Sequence, residues 1–538
     1  MRTFYRRFIP TLALALGLAL PVAVRGQTIT VLHVNDTHSH VDSFGPKDAH
    51  LDGTIGGLVR AATVIATQKA IEPDALLLHA GDAFHGDFFF NAYFDVPEFK
   101  ILQQLGVDAM AVGNHEFDLT PAALVGALSN VGDFPMTSAN LDFSQCPYPP
   151  TPAQPCALLP NWIKPGIVKD VEGLKVGIFG MTTPTDPTMQ PKPVIVSNDL
   201  VGSATAAIAG LKAAGAQVII LLSHLGLNAD RPLVAAVPGI DVVIEGHDHF
   251  LYDAPLLLDG PAGAKVPAVQ AGANYLHVGK LRLHYDGAKV TVEDWEVIPV
   301  DETVPPAPTL QPLVEQLKLG IVAQYGDVYH TVFGHAPWDL SKEFDPKSPL
   351  RDTPMGNLIT DALRFRTGTQ IALTATGLIS EGIYHGPIVG ADVFRPVSYG
   401  YDPATGLGFK VATFDITGAE LLKGMEICLA NVTNQDTFNL QFSGLIYAYD
   451  STRPPLQRVV PGSVYVRGRP LKPEQTYSAT VNEGVALLLP SLGVTVTNLQ
   501  ILQDFEYKAL LDYITRLEWL PYTAQGRIRD VSVRLCRR

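Results

Sequence analysis

The stretch Gly246-His247-Asp248-His249 follows residues 240–245 (IDVVIE), a short, apolar and β-branched run. Such a run reads as a strand buried on both faces of a parallel sheet. It stops at a glycine, and two imidazoles follow, two residues apart. In open α/β sheets, ligands collect where strands end in loops. Four more runs have the same form. Residues 29–34 (ITVLHV) lead into Asn35-Asp36-Thr37-His38, and residues 75–80 (ALLLHA) into Gly81-Asp82. Residues 109–112 (AMAV) lead into Gly113-Asn114-His115-Glu116-Phe117-Asp118, and residues 218–223 (VIILLS) into His224. Five strands that carry carboxylate, amide and imidazole donors to one rim restrict the first half to an α/β scaffold around a metal site.

The donor chemistry narrows the metal. Hard carboxylates with imidazoles, and no paired thiolates, suit Zn, Mn, Fe, Co or Mg. Asp36 and His38 are two apart, so both reach one ion from a strand-exit loop. The set divides into Asp36, His38, Asp82 and His249 around one ion, and Asp82, Asn114, His224 and His247 around the other, with Asp82 shared. Two ions about 3.5–4 Å apart clamp a phosphoryl group and activate a water for in-line attack. His115 directly follows a ligand, and Asp118 stands three residues on. His115 is the candidate to stabilise the transition state and protonate the leaving oxygen, with Asp118 fixing its tautomer. His85 and Asn140 are either supports of the ligand shell or plain structural residues. His33 and His79 lie inside strands and read as structural. A non-catalytic binding protein would be favoured by loss of a ligand, and none is missing.

At 538 residues the chain exceeds what one core usually supports. Residues 1–26 read as a signal peptide: Arg2, Arg6 and Arg7 precede the apolar stretch 8–24, and small residues allow cleavage after Gly26 or Ala23. An uncleaved anchor is the alternative, and no other segment is long and apolar enough to span a bilayer. The expected compartment is the periplasm or outside the cell. A formal charge of −14 argues against a polymeric nucleic acid as ligand. Cys146 and Cys156 flank a proline-rich loop that a bridge would close, and Cys428 and Cys536 remain; sequence does not choose among the three connectivities. Residues 27–300 form the α/β unit. Residues 266–269, 275–285 and 289–300 read as an antiparallel extension of a second sheet. Residues 301–329 are a linker (DETVPPAP) and a hinge helix, and 330–538 a second domain, in which Met355-Gly356-Asn357 precedes a helix.

The motifs NDTHSH, GD, GNHEFD, SH and GHDH, in this order, resemble the calcineurin-like metallophosphoesterases. Together with GNLITDAL at 356–363, they are similar to the secreted 5'-nucleotidase family, which includes bacterial UDP-sugar hydrolases and SoxB. The resemblance covers nearly all of the mature chain. It implies a four-layer αββα sandwich followed by an α+β domain, and two divalent ions on Asp36, His38, Asp82, Asn114, His224, His247 and His249. His115 and Asp118 would be the catalytic pair, and a rotating second domain would bind the nucleoside. The substrate would be a small nucleotide or phosphate ester, with no obligate protein partner. The family's Asn-x-Gly-Gly-Ile-Arg stretch reads Ala375-Thr376-Gly377-Leu378-Ile379 here, so Ile379 stands where an arginine is expected. Arg351 and Arg395 are the candidate replacements, and a structural ion pair is the alternative for Arg395. Asn357, Phe438 and Asn439 complete the candidate substrate contacts. The second stacking aromatic has no counterpart in residues 491–496 (SLGVTV). Nucleoside 5'-monophosphates are the expected substrates. The alternatives are 2',3'-cyclic nucleotides, nucleotide sugars, other small phosphates, or a SoxB-like thiosulfohydrolase reaction.

Overall fold

Alternation along the strands builds two sheets face to face. In strand Gln27–Val34, Ile29 and Val31 enter the space between the sheets, while Leu32 and Val34 enter the layer outside it. In strand Val218–His224 of the opposite sheet, Val218, Ile220 and Leu222 face inward, and Ile219 and Leu221 face outward. Both faces are apolar because both are covered, as parallel strands require. The computed structural model describes residues 26–186, 189–430, 432 and 438–533. The expected signal segment and Cys536 lie outside these residues.

The first sheet has seven strands, in the order Val290–Pro299, His277–Tyr285, Gln27–Val34, Leu76–His79, Ala109–Ala111, Met136–Thr137 and Ile163–Lys164. The second has six, in the order Leu256–Asp259, Lys265–Val269, Val242–Glu245, Val218–His224, Leu174–Thr182 and Ile167–Val171. Helices Leu58–Ile71, Val96–Gln104 and Pro121–Val131 cover the first sheet, and Leu200–Ala213 and Leu227–Ala236 the second. This is the four-layer αββα sandwich. One expectation needs correction. Strands His277–Tyr285 and Val290–Pro299 extend the first sheet, not the second, because His277–Tyr285 pairs antiparallel with Gln27–Val34 over seven residues. Only Lys265–Val269 joins the second sheet. Cys146 and Cys156 form a disulfide, one of the pairings the sequence left open, and Cys428 has no disulfide partner among the described residues.

The second domain is α+β. Its five-stranded sheet runs Leu440–Ser443, Ile371–Ala375, Thr476–Asn482, Lys410–Thr417 and Thr497–Phe505. Met355, Gly356 and Asn357 lie inside helix Pro354–Thr367 rather than before it. The Thr353 side chain caps the helix by accepting from Gly356 N, and proline is suited to the first turn.

The two domains share a continuous apolar core. Phe88 of the first stacks on Phe394 of the second at a centroid distance of 3.9 Å. Arg395 Nε donates to Asp87 Oδ2 across the boundary at 2.7 Å, and Nη1 donates to Asp392 Oδ1 at 2.9 Å. Helix Gln311–Tyr325 packs onto the first domain: Val314 and Ile321 are buried, and Lys318 Nζ lies 3.1 Å from Asp42 Oδ2. No helix among the described residues is long and apolar enough to cross a membrane. Removing Arg395 leaves the buried Asp87 without its cation, whereas Asp392 keeps Lys47 Nζ at 2.9 Å, and breaking a buried pair typically costs about 3–5 kcal/mol. Arg395→Ala should therefore lower the urea midpoint far more than alanine at the exposed Lys265–Asp259 pair. Equal midpoints would refute the role given to this bridge.

Candidate metal centre

The loops that follow the strands are laced to one another. Asp36 N donates to Gly81 O at 2.9 Å and Thr37 N to Asp82 O at 2.8 Å. Asp36, His38, Asp82, His85, His247 and His249 all have positive φ, between 49° and 77°. Such conformations cost about 1–3 kcal/mol each and persist where the surroundings over-determine them. Two glycines make the approach possible. A Cβ on Gly113 would lie 2.1 Å from Asp82 Oδ1, and one on Gly81 would lie 2.6 Å from His224 Nδ1.

Two groups of donor atoms result, each with its atoms within 4.8 Å of one another: Asp36, His38 and His249, and Asp82, His224 and His247. His38 Nε2 and His249 Nε2 are 3.0 Å apart. Asn114 Oδ1 lies 3.1 Å from His224 Nε2 and 3.0 Å from His247 Nδ1. His224 Nε2 is 2.9 Å from Asp82 Oδ2 and 3.9 Å from Asp36 Oδ1, so the two groups adjoin. Donors at about 2.0–2.2 Å from a common ion stand at roughly these mutual separations. The residues therefore fit two divalent cations.

Backbone carbonyls set the tautomers. His224 Nδ1 meets Ala80 O at 2.7 Å, and His38 Nδ1 meets Phe84 O at 3.2 Å. A proton on each Nδ1 leaves Nε2 to face the ion, the usual arrangement of ligand histidines. Burial pushes His38 down to about 3 and His249 well below its ordinary value, so both are neutral and ligand-competent. Burial pushes Asp36 up to about 7. Burial would also raise Asp82, but the His224 and His115 charges hold it well below the usual carboxylate range. Burial opposes the charge on His224, yet Asp82 and Asp36 raise it to about 10.

His115 and Asp118 form a hydrogen bond at 2.5 Å between Nδ1 and Oδ2, and His115 Nε2 lies 3.9 Å from Asp82 Oδ2. Burial disfavours an imidazolium here, but Asp118 and Asp82 together hold His115 well above its ordinary value. His85 sits against the same pair, with Nε2 3.3 Å from Asp118 Oδ2. Tyr399 of the second domain stacks on His115 at 5.3 Å. Asn140 holds the neighbouring strand end: its side chain donates to Thr182 O and accepts from Thr182 N. Thr182 pairs in register with His224. His79 accepts from Gly81 N, and His33 stacks on Trp295.

Glu116 was not singled out in the sequence, although it is the remaining ionisable residue of GNHEFD. Its buried carboxylate accepts from Ala83 N at 2.8 Å and Gly113 N at 2.5 Å, tying two ligand loops together. Asn35 likewise donates to Asp36 Oδ2 at 2.7 Å and accepts from Ala271 N at 3.1 Å.

The second-domain candidates have partners of their own. Arg395 is held by Asp87 and Asp392. Arg351 donates to the carbonyls of Ser348 and Leu350 and lies over the Phe344 ring. Asn357 donates to Asp352 Oδ2 at 2.8 Å. Phe438 is half-buried in a turn, and Asn439 is buried, its carbonyl accepting from Thr376 N.

The profile described as calcineurin-like phosphoesterase matches residues 29–251, and the 5'-nucleotidase C-terminal domain profile matches residues 332–487. The chain belongs to the calcineurin-like metallophosphoesterases that carry a 5'-nucleotidase-type C-terminal domain. It is 29% identical to the trifunctional nucleotide phosphoesterase protein YfkN of Bacillus subtilis over 80% of its length, but spans only 30% of that longer protein. It superimposes on the 5'-nucleotidase precursor of Thermus thermophilus with a TM-score of 0.79 and 29% identity, covering 94% of this chain and 99% of the other. The sulfate thiohydrolase SoxB of the same organism gives a TM-score of 0.74 at 19% identity, covering 94% and 96%, a likeness of fold.

Ligand histidines must be neutral, so binding a cation expels the His224 proton. Titrating metal-free protein with Zn²⁺ at pH 7 in buffers of different ionisation enthalpy should show net proton release. Affinity should rise with pH towards the His224 value near 10. Heats independent of buffer would contradict the assignment.

Proposed function

We propose that the chain hydrolyses nucleoside 5'-monophosphates or related nucleotides to release phosphate. The observation that carries this reading is the His115–Asp118 pair beside two adjoining ligand groups. Asp36, His38 and His249 would hold one cation, Asn114, His224 and His247 the other, with Asp82 between them. Two divalent ions there would supply Lewis-acid charge to the phosphoryl oxygens and make a water more acidic.

The chain's own residues do the rest. His115, kept cationic by Asp118 and Asp82, presents Nε2 on the ligand side. There it meets charge growing on the phosphoryl group and hands its proton to the leaving oxygen. Asp118 keeps the ring oriented through Nδ1. Ile379 is buried at the position where relatives are expected to carry an arginine, and Arg395 is neutralised by two carboxylates. Lys342, from a different loop, donates to Ser380 O at 3.1 Å, one residue past Ile379, and so brings a cation beside this segment. The nucleotide reading is supported by the names of the similar proteins. We further propose export from the cytosol, supported by the arginine-led apolar N-terminus and by the Cys146–Cys156 bridge, since structural disulfides persist in oxidising compartments.

Initial rates of phosphate release test the reading with AMP, a 2',3'-cyclic nucleotide, UDP-glucose and p-nitrophenyl phosphate. EDTA should abolish turnover and Mn²⁺ or Zn²⁺ restore it. His115→Ala should lower kcat by about 10²–10⁴-fold with bound metal unchanged. Turnover of the cyclic nucleotide alone would reassign the substrate. No release from any ester by metal-loaded protein would reject phosphate hydrolysis and favour thiosulfohydrolase chemistry.

A further inference from the structure

Tyr399 belongs to the second domain, yet its ring lies on the His115 imidazole, with centroids 5.3 Å apart and planes tilted by 18°. His38 and His85 meet the same imidazole edge-on, at 5.3 and 6.0 Å. His115 is thus enclosed by three rings, while Asp118 holds Nδ1. A ring placed flat on the imidazole packs favourably with it and blocks rotation about the bonds that carry it. Burial and the surrounding carboxylates, Asp118 and Asp82 foremost, push the phenol's pKa up, so the ring carries no charge at neutral pH.

The tyrosine is held firmly. It follows the short turn Arg395–Val397, and Arg395 is anchored to Asp87 of the first domain. Ser398 Oγ is 3.0 Å from Ser380 Oγ, and the Tyr399 carbonyl accepts from Phe409 N at 3.0 Å. Seating the second domain through Phe88, Phe394 and Arg395 therefore also sets the ring over His115.

We propose that Tyr399 is a positioning residue for His115, so that the second domain supplies part of the catalytic centre as well as any substrate contacts. The kinetic part rests on the phosphoesterase reading above. The ring orients a group that acts on the leaving oxygen, so its loss affects every leaving group alike. Misplacement of a catalytic group by about 1 Å can cost roughly a hundredfold.

The test compares Tyr399→Phe, Tyr399→Leu and Tyr399→Met in the full metal-loaded chain, with AMP and p-nitrophenyl phosphate. The leucine and methionine variants should lose roughly tenfold or more in kcat with both substrates, at unchanged metal content and with little change in KM. Phenylalanine, which keeps the ring, should restore most of that loss. A change confined to KM, or equal kcat in all variants, would overturn the proposal. A second readout is independent of turnover. With imidazole-labelled histidine, the His115 ring protons, assigned by His115→Gln, should sit upfield from the Tyr399 ring current. They should move downfield in the leucine and methionine variants and stay in the phenylalanine variant. Unmoved signals in the leucine and methionine variants would overturn the packing role. A wild type inactive towards all esters that passes this test would instead reject the phosphoesterase reading alone.

Discussion

Two carboxylates, Asp36 and Asp82, sit with almost no solvent exposure at the end of an apolar double sheet. Everything around them answers that fact. A buried carboxylate is tolerated only when paired and hydrogen-bonded. Asp82 has His224 at 2.9 Å and the His115 backbone N–H at 2.9 Å, and Asp36 has Asn35 and the His247 backbone N–H. The left-handed backbone at six site positions is what aims these donors inward, and Gly81 and Gly113 leave room for it. A divalent cation held by these residues would replace protons as the counter-charge, so the same arrangement would serve both folding and binding.

Much of this was legible from local pattern. Alternation in the strands, a polar residue at each exit and fixed spacing between donors are all short-range properties. They single out Asp36, His38, Asp82, Asn114, His224, His247 and His249, which the strand exits bring together at one rim. What stayed hidden is set by contacts distant in sequence. The sheet joined by His277–Tyr285 depends on pairing with a strand about 250 residues earlier, and an alternating hairpin fits either sheet equally well. Glu116 looked like one acid among several in its motif, and its four backbone donors come from two loops. Asn357 read as the residue before a helix, yet the helix begins at Pro354, since proline at a first turn needs no hydrogen-bond partner.

The second domain departs most from what its motifs suggested. Arginine alone does not indicate a phosphate site. Arg395 is committed to Asp87 and Asp392, and Arg351 to carbonyls of its own loop. The aromatics behave similarly. Phe88 and Phe394 stack on each other, and Tyr507 meets both edge-on. Composition counts charged and aromatic side chains but does not say whether they face a ligand or another part of the same chain.

The Phe88–Phe394 contact also bears on how the molecule can be divided. The proline-rich stretch at 301–308 invites a cut between the halves, and family profiles match each half separately. A first half made alone would present Phe88 to water beside an Asp87 stripped of its cation, and a second half alone would present Phe394 and Tyr507 beside an Arg395 that keeps only Asp392. Contiguous apolar faces of that kind drive self-association. Truncation here creates two sticky fragments, and the intact chain is the unit to express, crystallise and engineer.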